Sequence, residues 1–163
     1  VCSSDLREAG MADLESMVEL LGELFRLEAD FAANPKAQRR GLSLMLRPDP
    51  ARVVLVAEEH GEAVGMATAQ MVISTAEGAP SALVEDVVVR PGCRGRGLGR
   101  ALLDGIAGWA ARRGAPRMHL LCDRDNAPAL DFYAACGWSP TRLVCIRRTG
   151  FTRSTDSTGG NRP

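Results

Sequence analysis

The sequence predicts a single α/β domain built on a mixed β-sheet, and three stretches carry that reading. Residues 52–59 (RVVLVAEE) and 62–74 (EAVGMATAQMVIS) are strand-like runs separated only by His60-Gly61, a two-residue hairpin turn in which glycine supplies the positive φ. Residues 83–89 (LVEDVVV) form an apolar, β-branched run interrupted only by Glu85 and Asp86, the pattern of a strand buried on both faces. A helical pattern then separates that run from another strand-like one at 117–123. The two strands it links must run parallel, because a helix crosses between them.

The remaining elements follow in order. Residues 5–9 read as a short first strand. From 12 to 27, apolar residues at Leu14, Met17, Val18, Leu21, Leu24 and Phe25 recur at helical spacing, with acidic residues interleaved. Asn34-Pro35 supplies a cap and then proline at the first helical position, opening a second helix that runs to about Leu46. Residues 75–81 are a polar loop. Pro91-Gly92 stops the strand at 83–89, since proline cannot donate to a ladder. Leu98, Leu102, Ile106 and Trp109 mark a helix that Gly114 and Pro116 close. Asn126 caps a further helix to about Cys136, Gly137 ends it, and 141–148 reads as a final strand. Residues 149–163 are polar and predict a disordered tail, which leaves 1–148 as the domain.

A chain of 163 residues suffices for one domain with a sizeable core and is short for two. Twenty basic residues balance twenty acidic ones, so nothing global points to nucleic acid or to a membrane surface. No apolar run approaches membrane-spanning length or forms the centre of a secretory leader. Five cysteines occur without a Cys-x-x-Cys pair, which fits a reducing compartment and predicts the cytoplasm. Cys122 and Cys145 fall in apolar strand-like runs, where free cysteine acts as a small hydrophobe. His60 and His119 are the only histidines, and His60 lies in a turn. Neither an activated cysteine nucleophile nor a zinc site is indicated.

The chemistry concentrates at 94–100, where Arg94-Gly95-Arg96-Gly97-Leu98-Gly99-Arg100 leads from a buried strand into a helix. Unpaired backbone N–H groups converge at such a turn, the helix dipole favours negative charge there, and three arginines add full positive charges. A phosphate-bearing ligand is the first inference; a plain tight turn is the alternative. A dinucleotide fingerprint is excluded because Arg100 stands where the third glycine would be. A nucleoside-triphosphate loop is excluded because no Gly-Lys-Ser/Thr triplet occurs.

Arg94, Gly97 and Gly99, in the spacing Arg-x-x-Gly-x-Gly after Val-Val-Val-Arg-Pro, resemble the acyl-CoA loop of the GNAT N-acetyltransferase superfamily. Asn126-Ala127-Pro128-Ala129-Leu130-Asp131-Phe132-Tyr133, followed by Gly137-Trp138, is similar to the family's Asn-x-x-Ala-x-x-Phe-Tyr segment. The resemblance implies a GNAT fold: a mixed, mostly antiparallel sheet whose central parallel pair splays apart, flanked by helices. It implies acetyl-CoA as co-substrate, with no metal required, and a small amine or a peptide amine as acceptor attacked directly in a ternary complex. A non-catalytic acyl-CoA-binding or regulatory module of the same fold is the alternative. No nucleic-acid or membrane partner is implied, and a homodimer is compatible with the reading.

The resemblance also implies roles for particular residues. Arg94, Gly95, Arg96, Gly97, Leu98, Gly99 and Arg100 cradle the pyrophosphate, and the main chain of Val87, Val88 and Val89 pairs with pantetheine. Asn126 is a helix cap and a cofactor contact. Tyr133, the only tyrosine, approaches the cofactor and acts as general acid toward the departing thiolate. Cβ atoms at positions 97 and 99 are expected to crowd the phosphates. For the acceptor, Glu28, Asp30 and Glu77 are candidates to attract a cationic amine. Glu85 and Asp86 are the carboxylates of the strand at 83–89, and strand alternation sends them to opposite faces. Glu85, with the longer reach, is the candidate base; Asp86 is read as the structural partner. The alternative is that both acids are structural and solvent takes the proton.

Overall fold

The computed structural model describes residues 5–27 and 32–149. In chain order its elements are β1 (Asp5–Glu8), α1 (Leu14–Phe25), α2 (Pro35–Met45), β2 (Arg52–Glu59), β3 (Glu62–Ser74), β4 (Ala79–Val89), α3 (Leu98–Ala111), β5 (Met118–Leu120) and α4 (Ala127–Ala135). The five strands form one sheet in the order β1-β2-β3-β4-β5. All pairs are antiparallel except β4–β5, which is parallel as the crossover helix requires.

Local chemistry accounts for most boundaries. His60 (φ 53°) and Gly61 (φ 83°) both have positive φ, as a two-residue turn matched to strand twist needs. Asn34 Oδ1 accepts from the Ala37 N–H at 3.1 Å, with Pro35 at the first helical position. Asn126 Oδ1 does the same for Ala129 at 3.2 Å. Gly137, at φ 85°, follows α4. At the other end of the sheet, Arg7 donates to both oxygens of Asp13 (2.8 and 2.9 Å) and to Glu58 (2.6 Å). It thereby ties β1, the 3₁₀ turn Met11–Asp13 and β2 together. That guanidinium holds the Asp13 carboxyl below its usual range.

The sheet carries a core on each face. On one side α3 lays Leu98, Leu102, Leu103, Ile106 and Trp109 over Val53, Leu55, Ala67, Ala69 and Val84. On the other, α1 and α2 lay Met17, Leu20, Leu21 and Leu42 over Val54, Val56, Met66 and Val88. Leu102 and Ile106 are fully buried, and truncating either to alanine is expected to cost about 2–5 kcal/mol.

Three expectations need correction. β4 begins at Ala79, so the polar loop shrinks to 75–78. Its residues 79–81 pair only with β3, and such a one-sided ladder tolerates Pro80. β5 is only three residues long where 117–123 was expected. It stops at Leu120, and the chain turns locally where Asp123 Oδ1 accepts from Asp125 N. The final strand predicted at 141–148 does not form: its residues make no ladder, and Leu143, Val144, Cys145 and Ile146 are exposed. β-branched composition describes a surface that suits a sheet and does not create a pairing edge by itself. β5 is consequently the last strand, and the parallel pair lies at one end of the described sheet. The predicted tail from 150 onward lies outside the described residues.

Candidate active site

β4 and β5 pair only from Ala82 to Val84 and from Met118 to Leu120. Beyond Val84 the parallel pairing ends, where β5 stops and β4 leaves its regular register. Its register with β3 runs Thr68↔Glu85 and then Met66↔Val88, so Asp86 and Val87 together face Ala67. This is a β-bulge, and Asp86 takes a left-handed φ of 53° to make it. Aspartate is one of the few residues other than glycine to adopt that conformation at modest cost. From Glu85 to Val89, the edge of β4 turned away from β3 carries no strand partner among the described residues.

The bulge also overturns the expected alternation. Thr68 and Gln70 are two apart on β3 and share its α1/α2 face. Thr68 Oγ1 donates to Asp86 Oδ2 at 3.2 Å, and Gln70 Nε2 donates to Glu85 Oε2 at 3.4 Å. Both carboxylates therefore serve one face, whereas a regular strand would have put them on two. Burial, and secondarily the neighbouring charge of Glu85, push the Asp86 carboxyl up to about 6 against the Thr68 hydrogen bond. Glu85 is exposed.

These two residues line a cleft where the strands part. Val84 and Val87 join them from β4, Leu120 and Leu121 come from β5 and the residue after it, Leu24 from α1, and Tyr133 from α4. Tyr133 sits between Phe132 and Trp138, with ring centroids 5.3 and 6.1 Å away. A larger groove of about 510 Å³ lies between α1 and α2; it shares no lining residue with this cleft and holds none of the residues singled out by motif.

The glycine turn meets α3 next to the same cleft. Gly95 and Gly97 have φ values of 75° and 82°, and Gly97 is the N-cap of α3 with no side-chain cap. The first intrahelical bond is Ala101 N to Gly97 O. The preceding N–H groups of Leu98, Gly99 and Arg100 are thus the orphan donors of a helix start. Residues 94–97 are exposed, as an anion-receiving turn requires.

The arginines do something the motif does not reveal. Arg94 Nε donates to Val89 O at 2.9 Å, Arg100 Nη2 donates to Ala135 O at 2.5 Å, and Arg96 pairs with Glu59. Each ties the turn to a neighbouring element, and Arg94 occupies one main-chain carbonyl of the 87–89 segment. Gly99 has a packing role: a Cβ there would lie 2.9 Å from Phe132 Cζ, so α3 and α4 touch at this glycine. At Gly97 a Cβ would meet nothing within 4 Å, and the constraint is its positive φ.

Of the candidate acceptor acids, Glu77 is paired with Arg117 at 3.3 Å, while Glu28 and Asp30 fall outside the described residues. Glu59 was not singled out in the sequence. Its only signal there is that it ends a strand beside the hairpin turn, and its partner lies 37 positions away. Among the described residues no grouping of histidine, cysteine, aspartate and glutamate is arranged to hold a metal ion. No described helix is long and apolar enough to cross a membrane.

A bulged strand with a short parallel pairing, followed by an uncapped helix start behind a glycine turn, makes this an α/β domain with an anion-receiving turn beside an open strand edge. The chain belongs to the acetyltransferase (GNAT) family, whose model matches residues 14–138. An uncharacterized N-acetyltransferase of Methanocaldococcus jannaschii is 26% identical over 140 residues, 85% of this chain; the chain spans 62% of that relative's length. A structure from Agrobacterium tumefaciens str. C58, assigned as an acetyltransferase, superposes with a TM-score of 0.75 at 28% identity, covering 89% of this chain and 99% of the other. The aminoglycoside N-acetyltransferase AAC(6')-Iy, in complex with CoA, shares the fold with a TM-score of 0.78 at 21% identity, covering 91% and 96%. The sheet and helices are those of the GNAT fold, and acetyl transfer is the activity of the family.

Proposed function

We propose that the protein transfers an acetyl group from acetyl-CoA to a primary amine, by direct attack within a ternary complex. The observation that carries this reading is the cleft beyond Val84, which brings Glu85, Asp86 and Tyr133 together where β4 and β5 part. The residues present fit the co-substrate. Orphan N–H groups at 98–100 and the positive φ of Gly95 and Gly97 suit a pyrophosphate. The unpartnered edge of β4 at Val87 and Val88 suits an extended arm pairing as a strand would. When bound, acetyl-CoA supplies the activated thioester.

The protein's own groups then have four tasks. The turn at 94–100 holds the phosphates, with Arg94, Arg96 and Arg100 fixing its shape. Main-chain N–H groups of 87–89 orient the arm, and one of them polarises the thioester carbonyl, a contribution on the order of 3 kcal/mol. The Glu85–Asp86 pair draws in the ammonium form of the acceptor and takes its proton. Glu85, exposed, meets it first, and Asp86, raised to about 6, has the basicity suited to work near neutral pH. The amine nitrogen bonds to the carbonyl carbon, the carbon–sulfur bond breaks, and Tyr133 gives its phenolic proton to the leaving thiolate; the second proton that the nitrogen sheds as it becomes an amide restores the phenol. Asn126 holds α4, and with it Tyr133, through its cap. The domain carrying this activity is taken as 1–148.

Thiol release from acetyl-CoA over a panel of amines, polyamines, amino sugars and peptide amines tests the proposal. Release that depends on an amine is expected. CoA binding without turnover on any of them would reduce the protein to an acyl-CoA-binding module.

A further inference from the structure

We infer that Glu59 is a positioning residue for the co-substrate, acting through Arg96. The inference rests on the reading of the 94–100 turn as the pyrophosphate site. Glu59 is the last residue of β2, and its side chain is only 9% exposed. Arg96 Nη1 donates to its Oε2 at 3.0 Å, and Nη2 lies 2.7 Å from its Oε1. Cys93 Sγ approaches the same Oε2 at 3.9 Å. One carboxylate on a rigid strand thus reaches both ends of the segment from Cys93 to Arg96.

That segment needs such an anchor. Residues 94–97 are exposed, two of them are glycines in left-handed conformations, and the helix that follows has no side-chain cap. Glycines are the residues with the most backbone freedom to lose, so an untied turn would have to be ordered by the phosphates themselves. One charge-assisted hydrogen bond, with a second close ion-pair contact beside it, restrains the guanidinium. The burial is asymmetric: Glu59 is enclosed, while the Arg96 side chain keeps 42% of its surface. Glu59 therefore holds the arginine while leaving part of its side chain open to solvent.

The test is CoA affinity by calorimetry for the wild type, Glu59→Gln, Arg96→Gln and the double variant, with thermal melting as a check on folding. Glu59→Gln keeps the shape and removes the charge. It is expected to raise the Kd for CoA about tenfold, the scale of one lost charge-assisted contact. The double variant is expected to bind no more weakly than Arg96→Gln alone, because the ion pair with that arginine outweighs the 3.9 Å approach of Cys93. With an amine that the panel identifies, KM for acetyl-CoA should rise in the same ratio while kcat is kept; a merely structural role would not produce that split. Unchanged or tighter binding by Glu59→Gln, or additive losses in the double variant, overturns the inference. If Glu59→Gln fails to fold, Arg96→Lys keeps the charge and loses the guanidinium's hydrogen bond and adjoining contact to Glu59, and wild-type affinity in that variant overturns it equally. A wild type that takes up no CoA overturns the reading of the turn as well, whereas normal wild-type binding with an indifferent Glu59 removes this inference alone.

Discussion

Asp86 bears two energetic burdens at once, a left-handed backbone and a buried carboxylate beside another acid. Its proton is favoured by folding, so its stabilising share is present below the ordinary aspartate pKa and is lost as pH rises through about 6. Asp86→Asn keeps a side chain that tolerates positive φ and removes the charge. It should therefore stabilise the fold near neutral pH, by at most about 3 kcal/mol, with the advantage gone below about pH 4. Denaturant unfolding at the two pH values checks this, and acetyl transfer should fall in the same variant. Glu85→Gln should lower the rate near neutral pH and recover partly at high pH, where the amine is already neutral. If only one of the two variants shows that recovery, that residue is the base. Tyr133→Phe keeps the ring between Phe132 and Trp138. Turnover should drop about 10²–10⁴-fold if the hydroxyl protonates the thiolate, with CoA affinity unchanged by calorimetry.

At the scale of elements, the contact of α3 with α4 couples the glycine turn to the tyrosine. Phe132 packs on Gly99, and Arg100 reaches the C-terminal carbonyl of Ala135. Gly99→Ala places a methyl 2.9 Å from the Phe132 ring, so α4 must move and take Tyr133 with it. The expected result is a kcat loss exceeding any change in CoA affinity. Gly97→Ala acts differently. It strains a left-handed N-cap by about 1–2 kcal/mol and should weaken CoA binding. Measuring kcat and Kd for both variants separates the two effects; equal profiles would show that the glycines serve one purpose.

For the molecule as a whole, the sheet is covered on both faces, and the opening between β4 and β5 lies at its end. On the proposed reading, co-substrate bound there would tie β4, the 94–100 turn and α4 together and would bind the folded state alone. At a hundredfold excess over its Kd, CoA should add about 2.7 kcal/mol, raising Tm by roughly 5–10 °C for a domain of this size. Adenosine, which lacks the phosphates, should do far less. A melt unaffected by CoA would argue against the whole site.

Much of this was legible in the residues. The His60-Gly61 hairpin, the caps at Asn34 and Asn126, the apolar stripe of α3 and the parallel sense of β4 and β5 all follow from local chemistry and chain crossing, which depend on neighbours in sequence. The glycine turn and the Asn126–Tyr133 segment likewise stood out as motifs of fixed spacing. Three things required the tertiary structure. The bulge that turns Glu85 and Asp86 to one face is a mismatch of register between two strands, and one strand's alternation cannot contain it. The packing role of Gly99 and the grip of Glu59 on Arg96 join positions 33 and 37 apart, so no local pattern records them. The run at 141–148 has the composition of a strand yet makes no ladder, because a strand exists only where another edge meets it. The sequence by itself determined the fold class and the family, and it singled out the residues proposed to hold a phosphate and move a proton, since motifs are a matter of side-chain chemistry and short spacing. Which of them share a face, and what holds them there, was decided by contacts between elements distant along the chain.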